Sequence, residues 1–503
     1  MKWIAFSLCI CAGIANAQPR EPFNLNIVPR TDEEIERVAT ITAPTHDFKQ
    51  SEQFETRPAG AASVRVRSDS NAFSDFSANI SFADELNFKL GNALFRKLWV
   101  SSPSSTVASD GLGPLYNARS CQRCHLKDGR GHPPFDENDS HVSMLMNLSH
   151  PAPVRPDSDA IKDYITSLPD PIYGSQLQDF ATPGHPAEGQ FVITTSDIEV
   201  TLSDGVIVTL QYPTYAVENL AYGEMHPDTV IAPRIAPQMI GLGMLEAIPA
   251  ADILAHADPD DANGDGISGR PNWVLSAITR KVELGRFGLK ASSPTIFEQS
   301  ATAFKNDIGI SSTVFPDGWG DCSENQTACR AAPDGSTEEH GNVEISDDAM
   351  ELVNFYARNL GVPLRRDLDD PIVLRGKQVF YESGCVACHR PKFVTNRLMD
   401  QDAQSFQLIW PYTDMLLHDM GKGLADGSIS GEAQGNEWRT PPLWGIGLTQ
   451  QVSDHTRFLH DGRARNLLEA ILWHGGEGEH AKQRVVDLPT GDREALIKFI
   501  ESL

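Results

Sequence analysis

The chain has 503 residues, 40% of them hydrophobic, enough to bury more than one core, and its length favours two or more domains. Its 68 acidic residues outnumber 42 basic ones for a formal charge of −26, which argues against nucleic acid or an anionic membrane surface as a partner. A small basic or dipolar electron carrier fits that charge better. Residues 1–17 read as a signal peptide, with Lys2 as a minimal basic region, Trp3 to Ile14 as the apolar stretch and Ala15-Asn16-Ala17 as the cleavage site. That stretch is too short to span a bilayer and no later one is longer, so no membrane span is expected. Cys9 and Cys11 leave with the peptide, and the mature chain is expected in the periplasm.

Residues 18–80 are polar and irregular and read as an N-terminal arm. A first domain, 81–364, opens with Phe82 to Trp99, where Leu86, Phe88, Leu90, Leu94 and Phe95 recur at helical spacings. The Gly-rich approach Gly111-Leu112-Gly113-Pro114 then leads to Cys121-Gln122-Arg123-Cys124-His125. Further on, Phe191 to Tyr212 alternates apolar and polar residues around Ser203-Asp204-Gly205, the pattern of a β-hairpin inserted in a helical domain. Ala236 to Ala257 is helical in period but broken by Pro249, which predicts two short helices.

The segment Asp258 to Gly269 places Asp261, Asn263 and Asp265 at alternating positions, with Gly266 for a sharp turn and Ile267 for a backbone carbonyl, like the first half of an EF-hand loop. The closing glutamate is absent, since position twelve is Asn272. Calcium completed by ligands from elsewhere is the expected occupant, and an Asx-rich turn without metal the alternative. Cys322 and Cys329 are close in sequence, and in an oxidising compartment a disulfide is the default; a catalytic dithiol is the sharper option.

A linker around Gly361 to Pro371 introduces the last domain, 365–503. Val373 to Ser383 has the pattern of the opening helix of a small cytochrome c, with Gly376 and Phe380 placed to meet a neighbouring helix and a haem edge. It delivers the second motif, Cys385-Val386-Ala387-Cys388-His389. Cys-x-x-Cys-His attaches c-type haem: two thiols form thioethers and the histidine ligates iron. Zinc ribbons also use Cys-x-x-Cys, but their pairs stand roughly 15–20 residues apart, not in opposite halves of a chain.

From Asn87 onward the chain resembles the bacterial di-haem oxidoreductases described as peroxidases or thiol oxidoreductases. The resemblance rests on Gly113 to Ser120 and Lys127 to Gly131 around the first motif, Asp170 to Gln178, Ala236 to Gly243, His418-Asp419-Met420-Gly421 and Phe458 to Ala464. That family is distantly similar to di-haem cytochrome c peroxidases. The similarity implies an N-terminal haem that meets peroxide and a C-terminal haem that takes electrons from a small cytochrome c or blue-copper protein.

It also suggests Glu188 as acid-base group and Gln178 as the amide that orients peroxide, against the blander reading of a loop glutamate and a satisfied glutamine. Near the first haem, His132, His141, Met144 and Met146 are the donors in range, and an open iron position is the expectation. At the second, Leu459 stands where the peroxidases place a methionine ligand, so His418, His460, His474 and Met420 are the sixth-ligand candidates; any of them could instead hydrogen-bond a propionate.

The sequence therefore predicts a mostly α protein of two cytochrome c-like haem domains, with a small β-hairpin in the first. It is expected to carry two covalent c-type haems on Cys121, Cys124, His125 and Cys385, Cys388, His389, and to reduce hydrogen peroxide. The alternative is an electron-transfer cytochrome without turnover, serving another periplasmic redox or metal-handling system. A haem-based sensor would need a signalling or membrane segment that the sequence does not display.

Overall fold

The periodic stretch before the first motif folds as the helix Asp84–Arg96 in a computed structural model that describes residues 21–136, 139, 142–152 and 167–503. The signal-peptide residues 1–17 and His141 lie outside the described residues. Phe82, 89% exposed, stays outside the helix, whereas Phe88 and Phe95 turn inward against the helix Asp347–Arg358. Gly91 permits that crossing: a Cβ there would stand 2.1 Å from the Leu352 carbonyl oxygen. Phe95 then lies 5.2 Å from the Tyr356 ring and 6.2 Å from His125, so the helix pair backs the first motif.

The second motif has the same kind of wall. Asp370 caps the helix Pro371–Glu382, whose first residue is a proline with fixed φ and no amide hydrogen to lose. It crosses the terminal helix Thr490–Ser502 at Gly376, where a Cβ would meet the Ala495 carbonyl at 1.9 Å. Phe380, one turn on, is 5.3 Å from Phe499 and 6.2 Å from His389.

The expectation of a mostly α protein of two cytochrome c-like domains is wrong. Among the described residues 29% are helical and 18% strand, and the strands form seven two-stranded sheets and one three-stranded sheet. The physical reason is punctuation: 39 Gly and 33 Pro interrupt helical runs, and most strands are two- or three-residue pairings that pin loops. Pro249 acts this way, separating the short helices Leu242–Glu246 and Ala250–Leu254.

The longest pairing is the hairpin of Gln190–Thr201 with Ile207–Glu218, in register from Gln190↔Glu218 to Thr201↔Ile207. Gly205 takes φ 81° at the turn. Its tip reaches the C-terminal half: the Ser203 amide donates to the Val486 carbonyl at 3.0 Å, Asp204 pairs with Arg493, and Leu202 and Leu210 join the core of Phe380, Trp410 and Phe499. Residues 21–80 are likewise built in. They carry the helix Asp32–Thr42, closed by a Thr31–Glu34 capping box, and a strand, Ile27–Val28, paired with Arg397–Leu398. Ala59 and Phe73 share a core with Ile240, Leu245, Trp444 and Val452. The half that carries the first motif and the C-terminal half are thus stitched by both the arm and the hairpin. No helix among the described residues is long and apolar enough to cross a membrane.

Candidate dihaem site

The short helix Cys121–Cys124 presents the first motif and a 3-10 turn, Cys385–Ala387, the second. All six motif residues line one cavity of about 1070 Å³, at the top of the roughly 300–1,000 Å³ range of single-ligand pockets. In each motif the histidine is fixed in the same way. His125 Nδ1 lies 2.8 Å from the Pro237 carbonyl oxygen and His389 Nδ1 lies 2.9 Å from that of Tyr412. A carbonyl can only accept, so Nδ1 carries the proton and Nε2 keeps its lone pair for a metal. Burial pushes both imidazoles down to about 4, so they are neutral ligands near pH 7. Paired thiols, neutral oriented histidines and a cavity of this size fit two haems.

The wall beside the first motif comes from the helix Ile296–Ala303 and the π-turn Phe304–Ile308 that continues it. Gln299, Ala303, Asn306 and Asp307 form one stripe along the cavity. Asp307 lines that cavity, and burial raises it to about 6, with the charge of Asp321 adding to the rise. Its Oδ1 accepts from Gln176 Nε2 at 2.8 Å, the same nitrogen lies 2.5 Å from Asn117 Oδ1, and Asn117 Nδ2 donates to Asp179 at 2.9 Å. Burial raises Asp179 to about 7. Nothing in the sequence marked Asp307: Lys305-Asn306-Asp307 reads as a polar helix end, and only the π-turn directs it inward. Asn117 was visible as part of the segment before the first motif, though without a role.

Glu188 and Gln178 are brought together, but away from the cavity. Glu188 accepts from the Gln178 backbone N–H at 2.6 Å and from the Gln326 side chain, which staples their loop to the segment closed by the Cys322–Cys329 disulfide. Burial raises Glu188 well above the usual carboxylate range. Met144 and Met146 are buried in a separate core, and His132 turns its Nδ1 to the Pro133 carbonyl at 2.8 Å and stacks on Phe135.

The four sixth-ligand candidates all line the cavity with the second motif, in different states. His418 is clamped: Nε2 lies 2.8 Å from Asp414 and Nδ1 2.6 Å from Glu477. Burial alone would lower its pKa, but the charge of Asp414 and the hydrogen bonds raise it well above normal, so it is a cation with neither nitrogen available. His460 stacks on Trp438 at 3.9 Å, and burial lowers it to about 3. Lys290 and Arg234 lie over the same Trp438 ring. His474 donates from Nδ1 to the Ala470 carbonyl at 2.8 Å. Met420 sits nearby, its methyl 3.3 Å from where a Cβ on Gly478 would be.

In the loop Asp258 to Gly269 the side chains are spent on the backbone. Asp258 takes the Ala262 and Asn263 amides, Asp261 the Gly266 amide, Asn263 the Asp265 amide and Asp265 the Ile267 amide. These are the hydrogen bonds of an Asx-rich turn. Among the described residues, the one group of His, Cys, Asp and Glu donors that converges as a metal site would is Cys388, Asp414 and His418.

Comparisons with known proteins follow the two motifs. No curated protein matches. A solved structure of Kuenenia stuttgartiensis hydrazine synthase, pressurized with xenon, aligns over 40% of this chain and 70% of its own at 15% identity with a TM-score of 0.22, too low to carry an argument. The decisive match spans residues 55–503: the chain belongs to the family described as "Di-haem oxidoreductase, putative peroxidase".

Proposed function

We propose that the protein is an exported, periplasmic c-type di-haem enzyme that reduces hydrogen peroxide or a related small oxidant with electrons from a small cytochrome c or blue-copper protein. The observation that carries this reading is the single cavity joining both motifs, which brings two redox groups into one enclosure with a titratable carboxylate at one end. Haems attached at Cys121 and Cys124 and at Cys385 and Cys388 supply iron that binds the oxidant and passes electrons. We place the oxidant at the first motif and electron input at the second, in domains 81–364 and 365–503.

The reaction consumes two electrons from the donor and two protons, breaks the O–O bond and releases two waters. The protein's part is proton handling. Asp307, not Glu188, takes a proton from one peroxide oxygen and returns it to the leaving one, and Gln176 holds the carboxylate in place through its 2.8 Å hydrogen bond. Enclosure by Phe95, Phe304 and Ile308 keeps bulk water from competing.

The test is direct. Purified mature protein should retain two haems through denaturation, and the half-reduced form should consume peroxide with reduced cytochrome c or a reduced blue-copper protein. Two covalent haems without turnover under any of these donors would leave an electron-transfer cytochrome. We place calcium outside this reading, because both Asp261 oxygens, Asn263 Oδ1 and Asp265 Oδ1 already accept from backbone amides. Adding calcium to chelator-treated protein should leave the melting temperature unchanged, and a calcium-dependent rise abolished by Asp265→Ala would reverse that placement.

A further inference from the structure

We propose that His474 is the second axial ligand of the haem held by Cys385, Cys388 and His389. The inference deepens the reading of a covalent di-haem protein and rests on it.

Three cavity-lining histidines share one hydrogen-bonding arrangement. His125, His389 and His474 each turn Nδ1 to a backbone carbonyl, at 2.8, 2.9 and 2.8 Å, and none has a hydrogen-bond partner at Nε2 among the described residues. Two of the three follow a Cys-x-x-Cys pair, where the histidine ligates iron. The third has no such sequence signal, yet carries the same fixed tautomer with its lone pair directed away from the anchoring carbonyl. Its position is set by the helix Leu467–Leu472: Asn466 caps the start, and the Ala470 carbonyl, left unpaired near the helix end, takes the Nδ1 proton. Gly478 keeps the ring in place, since a Cβ there would stand 3.1 Å from His474 Cβ and 3.2 Å from Cδ2.

The competitors are each engaged otherwise. His418 has both nitrogens on carboxylates, Asp414 and Glu477. Leu459 lines the wall without a donor atom. His460 leaves its Nε2 without a hydrogen-bond partner, but its ring lies flat on Trp438 at 3.9 Å and Asp461 stands 3.7 Å from that nitrogen.

Bis-histidine ligation makes the second haem low-spin, with a potential below that of a thioether-ligated cytochrome. Ferric holoprotein should therefore lack the far-red band of methionine-ligated haem, and M420L should leave the spectrum unchanged. H474A should convert one haem from low to high spin in the electron paramagnetic resonance spectrum, with imidazole restoring the low-spin signal, while both haems stay covalently attached. H474M should raise the potential of that haem. Unchanged spin states in H474A, or a far-red band in the parent that M420L abolishes, would overturn the assignment. If H474A does not fold, the parent spectrum and M420L decide alone. A parent protein without covalent haem would instead remove the reading on which the inference stands.

Discussion

Asp307→Asn is expected to slow peroxide turnover by roughly 10²–10⁴-fold, the usual cost of removing a positioned acid-base group. Asparagine keeps the shape and can still meet Gln176 but cannot take a proton. The pH profile gives the sharper readout. Because burial raises Asp307 to about 6, the carboxylate that accepts the first proton accumulates as pH rises through that value. Turnover of the parent should climb across that range, and the variant should lose this limb. Stability works the other way. A carboxyl whose folded pKa lies above its unfolded value of roughly 3.9 favours the folded state while protonated, and that contribution fades as pH rises through about 6. Above that point Asp307→Asn removes an unfavourable buried charge, so a lower rate there cannot be blamed on unfolding. Glu188→Ala should instead disturb the disulfide-closed segment and lower the melting temperature without a pH-selective effect on rate.

Glu55→Ala is expected to destabilise the fold by about 3–5 kcal/mol, the range for stripping one partner from a buried ion pair. Glu55 is 1% exposed and touches Arg365 directly, Lys377 at 2.8 Å and the Glu52 amide at 2.8 Å. Without it, Arg365 loses its carboxylate partner, and Lys377 and Lys392 share the single carboxylate of Glu52, which lies 2.9 Å from Lys377 and 2.6 Å from Lys392. Burial works to raise the pKa of Glu55, but Arg365 and Lys377 outweigh it and hold it below the ordinary value. Its contribution is therefore present above the unfolded pKa and is lost as pH falls through the depressed folded one. Denaturant midpoints of the parent should drop on acidification, and those of the variant should drop less. The Tyr412 hydroxyl reaches Glu55 at 3.4 Å while the Tyr412 carbonyl holds His389, so the variant should also broaden the spectrum of the second haem.

What could be read in advance follows from which interactions are local. The two motifs, the hairpin turn at Ser203-Asp204-Gly205, the Pro249 break and the helix opening near Val373 are short-range patterns, and all of them stand in the structure. The many two-residue strands have no period to detect, so the fold class was misread as mostly α. The arm looked irregular because its small buried residues, Ala59, Ala62 and Ala72, leave no amphipathic signature. Site residues divide along the same line. His125 and His389 are announced by adjacent cysteines. The clamp on His418 depends on Glu477, 59 residues away, and the inward turn of Asp307 on a π-turn that no composition encodes.

The hairpin sets the order in which the molecule can be completed. A chain made from its N-terminus extends Leu202 and Asp204 long before Val486, Leu488 and Arg493 exist to receive them. Until the last helix is in place, the tip has no seat. Fragments that stop short of residue 486 should therefore keep an unseated apolar tip and be preferred prey for proteases, making the segment from Val486 to Arg493 a checkpoint on synthesis.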